Sequence, residues 1–319
     1  MKKVLGILVV LVFSVCAFVF AETAGLREYY YFFSVESPDD LEVIKINEAG
    51  QLLDGPRVLR NSNDVDGVCA TKTSTGKIVV YTLNNDTRGV KRWDFTAPGT
   101  ISGGNPQFTN ATFNFNIDCT ANLAGAVVGS SEGGSKGNAI AHQMDSSGFS
   151  SGKFYNPIPR LDQTEFASIR ADGKELIVVS LCCKTPEIAV QPLDASFHAL
   201  GTPIVSTRVK SFAIDMVRLS ADGRFALAAS DPDGFQLYTL DPISRKASAP
   251  ATLTAANDLV HFDSTVINEN GTFMLYNDLT DGGTTWFQEL DGAGHFSGSA
   301  VKVISVGDHY NFANLIRAN

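Results

Sequence analysis

The sequence is short of charge, of cysteine and of helical pattern, and each shortage excludes something. Only 18% of its 319 residues are charged while 44% are hydrophobic, a balance that excludes a disordered chain. Its 25 basic residues face 34 acidic ones, for a net charge of −9. No run of Lys or Arg reaches the density that a phosphate backbone requires, so nucleic acid is excluded as a partner. There are five cysteines and no paired CxxC motif, which excludes a zinc framework. No stretch of helical period exceeds about two turns, so α/β and all-α folds are poor fits.

One long apolar run is present, Val4 to Phe20; it sits behind Lys2 and Lys3, and its end, Val19-Phe20-Ala21, fits the small-residue cleavage rule. A basic start, a short apolar core and small residues before a cut define a secretory signal peptide, expected over residues 1–21. A membrane anchor is the competing reading, but no basic stop-transfer flank follows. Cleavage removes two lysines and no acid, taking the net charge from −9 to −11. The expected product, residues 22–319, is an exported periplasmic or secreted bacterial protein without a membrane span, and a monomer. Phe13-Ser14-Val15 before Cys16 is a poor lipobox, and the sequons at Asn85, Asn110 and Asn270 are read as chance matches in such a protein.

Glycine supplies the period. Ser168-Ile-Arg-Ala-Asp-Gly173-Lys-Glu-Leu-Ile-Val-Val-Ser180 matches Arg218-Leu-Ser-Ala-Asp-Gly223-Arg-Phe-Ala-Leu-Ala-Ala-Ser230, and weaker copies turn at Gly76, Gly125 and Gly271. These glycines are 49, 48, 50 and 48 residues apart. A turn glycine flanked by β-formers is a hairpin signal. Each hairpin leads to a third strand, at Val90–Phe95, Ala139–Met144, Ile188–Leu193, Phe235–Leu240 and Thr285–Leu290, and then to a fourth near Pro203–Ser206 and Ala300–Ile304. Four short antiparallel strands per unit of about 49 residues is the grammar of a β-propeller blade.

The ends complete the count. The tail Asn311–Arg317 reads as an innermost strand with no blade after it, whereas Gly25–Phe33, Leu41–Ile46 and Pro56–Arg60 read as a second, third and fourth strand with none before them. The fold expected is therefore all-β, a single six-bladed propeller domain closed by N- and C-terminal strands that share one blade. Six units of about 49 residues fill the mature chain and leave no room for a second domain.

The Ala-Asp-Gly turns, with an acidic residue about eight positions upstream (Glu165 before Gly173, Asp215 before Gly223, Asp263 before Gly271), resemble the TolB-type WD-like propeller repeat. That family carries Ser-Pro-Asp-Gly, and the proline is absent here throughout. The resemblance covers nearly all of the mature chain and implies a blade rather than an activity: six-bladed relatives include periplasmic protein-interaction modules, and other six-bladed propellers are lactonases, esterases or sugar-processing enzymes.

Aligned on their glycines, Asp66, Asp118, Glu165, Asp215 and Asp263 fall near one level of the innermost strands, which predicts an acidic ring at one mouth of the channel. His261 stands two residues before Asp263, and His309 lies 48 residues after His261, at the equivalent place one blade on. His261, Asp263 and His309, bordered by Asp215, are the candidate ligands of a divalent cation, calcium or zinc, or of a hydroxylated molecule, because imidazole with carboxylate suits borderline metals. The alternative is that they solvate the channel and bond to neighbouring blades. No cofactor is certain and no residue is assigned to catalysis. The function expected is binding of a protein or small molecule through one face of the disc, with a metal-dependent lactonase-like or esterase-like hydrolase as the alternative.

Five further features carry structural readings. Cys69 and Cys119 align within one residue on successive innermost strands, where a bridge would need a Cα separation of ~5 to 7 Å and is a tight fit. Cys182-Cys183 is a vicinal disulfide, a soft-metal site or two packed small residues. Gly129-Ser-Ser131-Glu-Gly133 and Gly148-Phe-Ser150-Ser-Gly152 match the nucleophile-elbow spacing without a following helix. The aromatic run Tyr29–Phe33 reads as blade packing, and His142, His198 and His295 read as surface.

Overall fold

The computed structural model describes residues 25–35, 40–60, 65, 67–84, 89–109, 116–119, 127–131, 139–155, 164–169, 175–180, 187–196, 198–206, 216–219, 225–230, 234–247, 251–253, 262–278, 282–307 and 313–318. Among them there is no helix. In chain order the strands are β1 (Glu28–Val35), β2 (Asp40–Asn47) and β3 (Leu52–Arg60), then β4 (Gly67–Lys72), β5 (Ile78–Asn84), β6 (Gly89–Thr96) and β7 (Thr100–Thr109). β8 (Asn116–Cys119), β9 (Val127–Ser131), β10 (Ala139–Met144) and β11 (Ser150–Tyr155) follow, then β12 (Thr164–Ile169), β13 (Glu175–Ser180), β14 (Glu187–Pro192) and β15 (Ile204–Ser206). Next come β16 (Met216–Leu219), β17 (Phe225–Ser230), β18 (Gly234–Thr239) and β19 (Ala251–Leu253), and last β20 (Phe262–Ile267), β21 (Phe273–Asp278), β22 (Thr284–Leu290), β23 (Phe296–Ser305) and β24 (Asn314–Arg317).

These strands form six four-stranded antiparallel sheets, five from consecutive strands and one ordered β24-β1-β2-β3. Their innermost strands touch in cyclic order, β4 to β8, β12, β16, β20, β24 and back to β4. The chain is an all-β propeller, and the four expected N- and C-terminal strands do share a sheet. Each third strand falls within one residue of its expected position, whereas β23 is longer than expected, at ten residues.

The turn glycines act as their spacing requires. Gly76 and Gly271 have φ of +80° and +64°, a region a Cβ makes costly, and each amide closes its turn by donating to the carbonyl of Thr73 or Asn268 at 2.9 and 3.0 Å.

The sheet β24-β1-β2-β3, blade 1 of six numbered in chain order, packs on both sides because strand side chains alternate. Tyr30 and Phe32 enter a cluster with Val68, Ala70, Val80, Trp93 and Phe95 of the second blade, with Tyr30 and Phe32 edge-on to Phe95 at centroid distances of 4.9 and 5.1 Å. Tyr29, Tyr31, Phe33 and Val35 enter the opposite cluster with Phe273, Leu275 and Phe287 of the sixth blade. The aromatic run is core, as its alternation requires. Its inner edge is covered by β24, paired from Tyr29↔Arg317 to Phe32↔Asn314, and Ile316 of that strand is buried in the seam with blade 2.

Between blades 2 and 3, Cys69 and Cys119 form a disulfide with Cα atoms 5.8 Å apart, across a separation of 50 residues. It lies among Val79, Tyr81, Leu83, Ile117 and Met144. Cys182 and Cys183 lie outside the described residues. Beside the bridge, the Tyr81 hydroxyl donates to the Gly148 carbonyl at 2.7 Å, and Arg92 donates to the Ser147 carbonyl from Nε at 3.1 Å and from Nη2 at 2.9 Å. Blade 2 thereby grips the last turn of blade 3.

Two outcomes test this architecture. Deleting residues 310–319 uncovers the β1 edge and strips Ile316 from its seam, so stability falls by about 4 kcal/mol or more; an unchanged unfolding midpoint in urea rules out the closing strand. Replacing Cys69 and Cys119 by Ala releases a loop of 50 residues, which destabilises the chain by about 4 kcal/mol in the chain-entropy treatment. Equal stability of the oxidised parent and this variant means that the bridge is not formed.

Candidate functional site

Each blade contributes an even number of antiparallel strands, so every innermost strand runs in the same direction. Their starts therefore share one mouth of the channel and their ends the other. Of the expected acidic ring, three members stand on described innermost strands: Asp118 is third in β8, Glu165 second in β12 and Asp263 second in β20. β12 neighbours β8 on one side and β16 on the other, and β16 in turn neighbours β20. Asp66, Asp215, His261 and His309 lie outside the described residues, so the proposed His261, Asp263 and His309 triad is placed only by its middle member's backbone. Among the described residues no group of three or more His, Cys, Asp or Glu is arranged to hold a metal ion.

Asp118 is buried, and its Oδ1 accepts from the Cys119 amide at 2.9 Å. One of its oxygens thus braces the backbone beside the disulfide. Glu165 and Asp263 share another property. The β12–β13 ladder shifts between Thr164 and Phe166, and the β20–β21 ladder between Phe262 and Thr265. Each acidic residue occupies a β-bulge, a device that re-aims side chains and recurs beside sites.

The serine motifs have no elbow geometry. Ser131 ends β9 and Ser150 begins β11, and the Ser150 Oγ accepts from the Gly152 amide at 3.2 Å. Both serines sit in strands rather than on a strand-to-helix turn.

The expectation for the histidines needs one correction. His198 and His295 lie on exposed turns, the latter with Nδ1 3.1 Å from Asp291 Oδ2. His142, expected at the surface, is buried on β10, between Val128 of β9 and Phe154 of β11. Burial pushes its imidazole down to about 4, because the charged form loses hydration.

One recurring element escaped the sequence reading. The turn between third and fourth strands opens on Asn47, Asp145, Asp194, Asp241 or Asp291, and in each the side-chain Oδ1 accepts backbone amides two and three or four residues on. Those bonds hold the carboxyls of Asp194, Asp241 and Asp291 below the usual range. The signal was available: an Asx residue recurs there at intervals of 47 to 50 residues, or about twice that across blade 2.

No protein-family model matches the chain, and no curated protein matches it by sequence. Solved structures do match by shape. TolB from Acinetobacter baumannii superposes with a TM-score of 0.57 at 16% identity, over 91% of this chain and 66% of its own, so this chain spans just under two thirds of that protein. The periplasmic gluconolactonase of Pseudomonas aeruginosa gives 0.55 at 12% identity, over 91% and 99% of the two chains. A 6-phosphogluconolactonase-like structure from Bacteroides fragilis gives 0.54 at 13%, over 92% and 99%. The TolB-type propeller likeness read from the turns is thus a likeness of fold.

The buried imidazole generates a pH dependence. A folded-state value near 4, against an ordinary 6.5, means that the unfolded chain takes up the proton first, so the stabilising contribution is complete above pH 6.5 and is lost as pH falls toward 4. His142→Gln should flatten that part of the stability profile measured by urea unfolding. A parallel decline in both proteins would show that another group is responsible.

Proposed function

We propose that this chain is an exported propeller that binds a protein or small-molecule ligand through the face of its disc where the innermost strands begin. The observation that carries the reading is the recurrence of a carboxylate near the start of these strands, with Glu165 and Asp263 each at a ladder break. A regular structural repeat has no need of bulges at those two places, whereas a site that must aim side chains at a ligand does. Residues 1–21 act as the signal peptide on this reading, residues 22–319 form the single mature domain, and the periplasm is the destination. The chain works as a monomer.

A second reading has a specific observation behind it. Two of the solved structures of like shape are named as gluconolactonases or their relatives. On this reading His261, Asp263 and His309, with Asp215, Glu165 and Asp118 around them, would hold calcium or zinc, and the ion would supply Lewis-acid activation of water for hydrolysis of a lactone or ester.

Metal analysis, calorimetry and a lactone assay on the mature protein separate the two. The binding reading expects no turnover of gluconolactone, with or without calcium or zinc, and expects Glu165→Gln with Asp263→Asn to leave the unfolding midpoint unchanged, since neither side chain is asked to support the fold. Stoichiometric metal with lactone hydrolysis, both lost in His261→Ala/His309→Ala, would replace it with the hydrolase reading.

A further inference from the structure

The apolar side chains that the disc leaves in water are concentrated on one of its faces. Seven large hydrophobic residues stand exposed among the described residues, and five of them, Leu52, Leu53, Phe149, Leu200 and Ile243, fall in a turn that joins a third strand to a fourth or within two residues after it. Backbone bonds close these turns between Asn47 and Gln51, Asp145 and Phe149, Asp194 and His198, and Asp241 and Lys246. Leu52 and Leu53 follow the first turn, Phe149 ends the second, and Leu200, 54% exposed, follows the third. Ile243, 92% exposed, stands at the tip of the fourth.

Third strands run in the direction of the innermost strands, so all four turns lie on the face where the innermost strands end. Equivalent turns of blades 1, 3, 4 and 5 stand at one height on that face, which brings their tips to one plane. The turns are also braced. In each, the Asx Oδ1 accepts backbone amides, and the Phe149 ring is stacked on the Arg92 guanidinium at 4.2 Å. The chain enters the disc at this face too, because β1 is a second strand and starts there, so the residues before Gly25, with the apolar run Val4–Phe20 among them, join the disc on the side that carries the tips.

We propose that the face where the innermost strands end docks on a lipid bilayer, laying the apolar tips of blades 1, 3, 4 and 5 into the boundary between headgroups and acyl chains. A folded partner buries a contiguous patch, and single tips a blade apart do not form one. A bilayer is flat and takes each tip independently, with a gain that grows with the apolar area buried. On the signal-peptide reading, Val4–Phe20 lies in the exporting membrane until cleavage, so this is the face first turned toward lipid. The tips themselves do not depend on that reading. Docking in this way leaves the opposite face, where Glu165 and Asp263 stand near the starts of β12 and β20, open to a ligand.

The test is co-sedimentation of the mature protein, residues 22–319, with vesicles of phosphatidylcholine and phosphatidylethanolamine in equal parts, lipids that carry no net charge. Saturable binding is expected, and the tryptophan emission of Ile243→Trp should move to the blue when vesicles are added. Ile243→Ser should weaken binding about tenfold and Leu200→Ser by a similar factor, each the loss of one buried aliphatic side chain. Val58→Ser/Val301→Ser, also at exposed positions but within β3 and β23 on the outer wall of the disc, should bind as the parent does. Each serine variant should keep the parent's unfolding midpoint in urea, so that lost binding is not lost fold. The proposal is overturned if the parent does not sediment with the vesicles, which would leave the tips to a protein partner, or if the Val58 and Val301 variant loses as much binding as the variants at Ile243 and Leu200.

Discussion

The structure depends on a four-residue strand reaching back to the start of the chain. β24 gives blade 1 its inner edge, and without it the aromatic strand β1 would present a bare row of amides and carbonyls to the channel. Because Tyr29, Tyr31 and Phe33 face one neighbouring blade and Tyr30 and Phe32 the other, blade 1 is the keystone of two seams at once. Full burial of each such ring contributes roughly 1.5–3 kcal/mol before entropy is counted. Those contributions are realised only while the sixth and second blades are both in place, so closure couples local pairing to the packing of half the ring. The Cys69–Cys119 bridge and the Arg92 and Tyr81 grip secure the adjoining seam, between blades 2 and 3.

The fold was legible because its constraints act on single residues at fixed intervals. A hairpin that needs positive φ selects glycine whatever surrounds it, so Gly76 and Gly271 kept the period where the rest of the repeat had drifted. Alternation in Tyr29–Phe33 was likewise readable, since both faces of a blade are buried and five aromatic residues in sequence leave no polar face. Depth within a blade was not readable. His142 stands on a third strand, a position that is outer in the meander, yet β11 and the packing around it bury it. Sequence assigns a strand to its place in the order; burial is decided by what covers it.

The Asx turns show a different failure. Their period is as regular as that of the glycines, but the chemistry is carried by a side chain that accepts backbone amides, and aspartate in a loop ordinarily reads as solvation. Asp194 and Asp291 each collect two amide donors besides a histidine, so a good part of the chain's acidity on this rim is structural. An excess of acids therefore cannot be read directly as a binding surface, and the distinction has to be drawn residue by residue.

The candidate mouth was least legible for a reason that lies in the ladder itself. Placing His261 and Asp263 on one side of β20 assumes that residues two apart face alike, which holds only while pairing is unbroken. Pairing breaks there: Phe262 opposes Asp278, and the next pair is Thr265 with Tyr276, so Asp263 and Ser264 together oppose Asn277. β12 has the same kind of break at Glu165. An inserted residue reverses the facing of everything before it relative to everything after it, so period-two reasoning carried up from the hairpin glycine fails at the very positions where the carboxylates stand. The same insertion frees those residues from the alternation that commits the rest of each innermost strand to one seam or the other. A propeller built from repeating meanders can vary its chemistry only where the repeat is interrupted, and at the starts of the innermost strands of blades 4 and 6 the interruption falls on an acid.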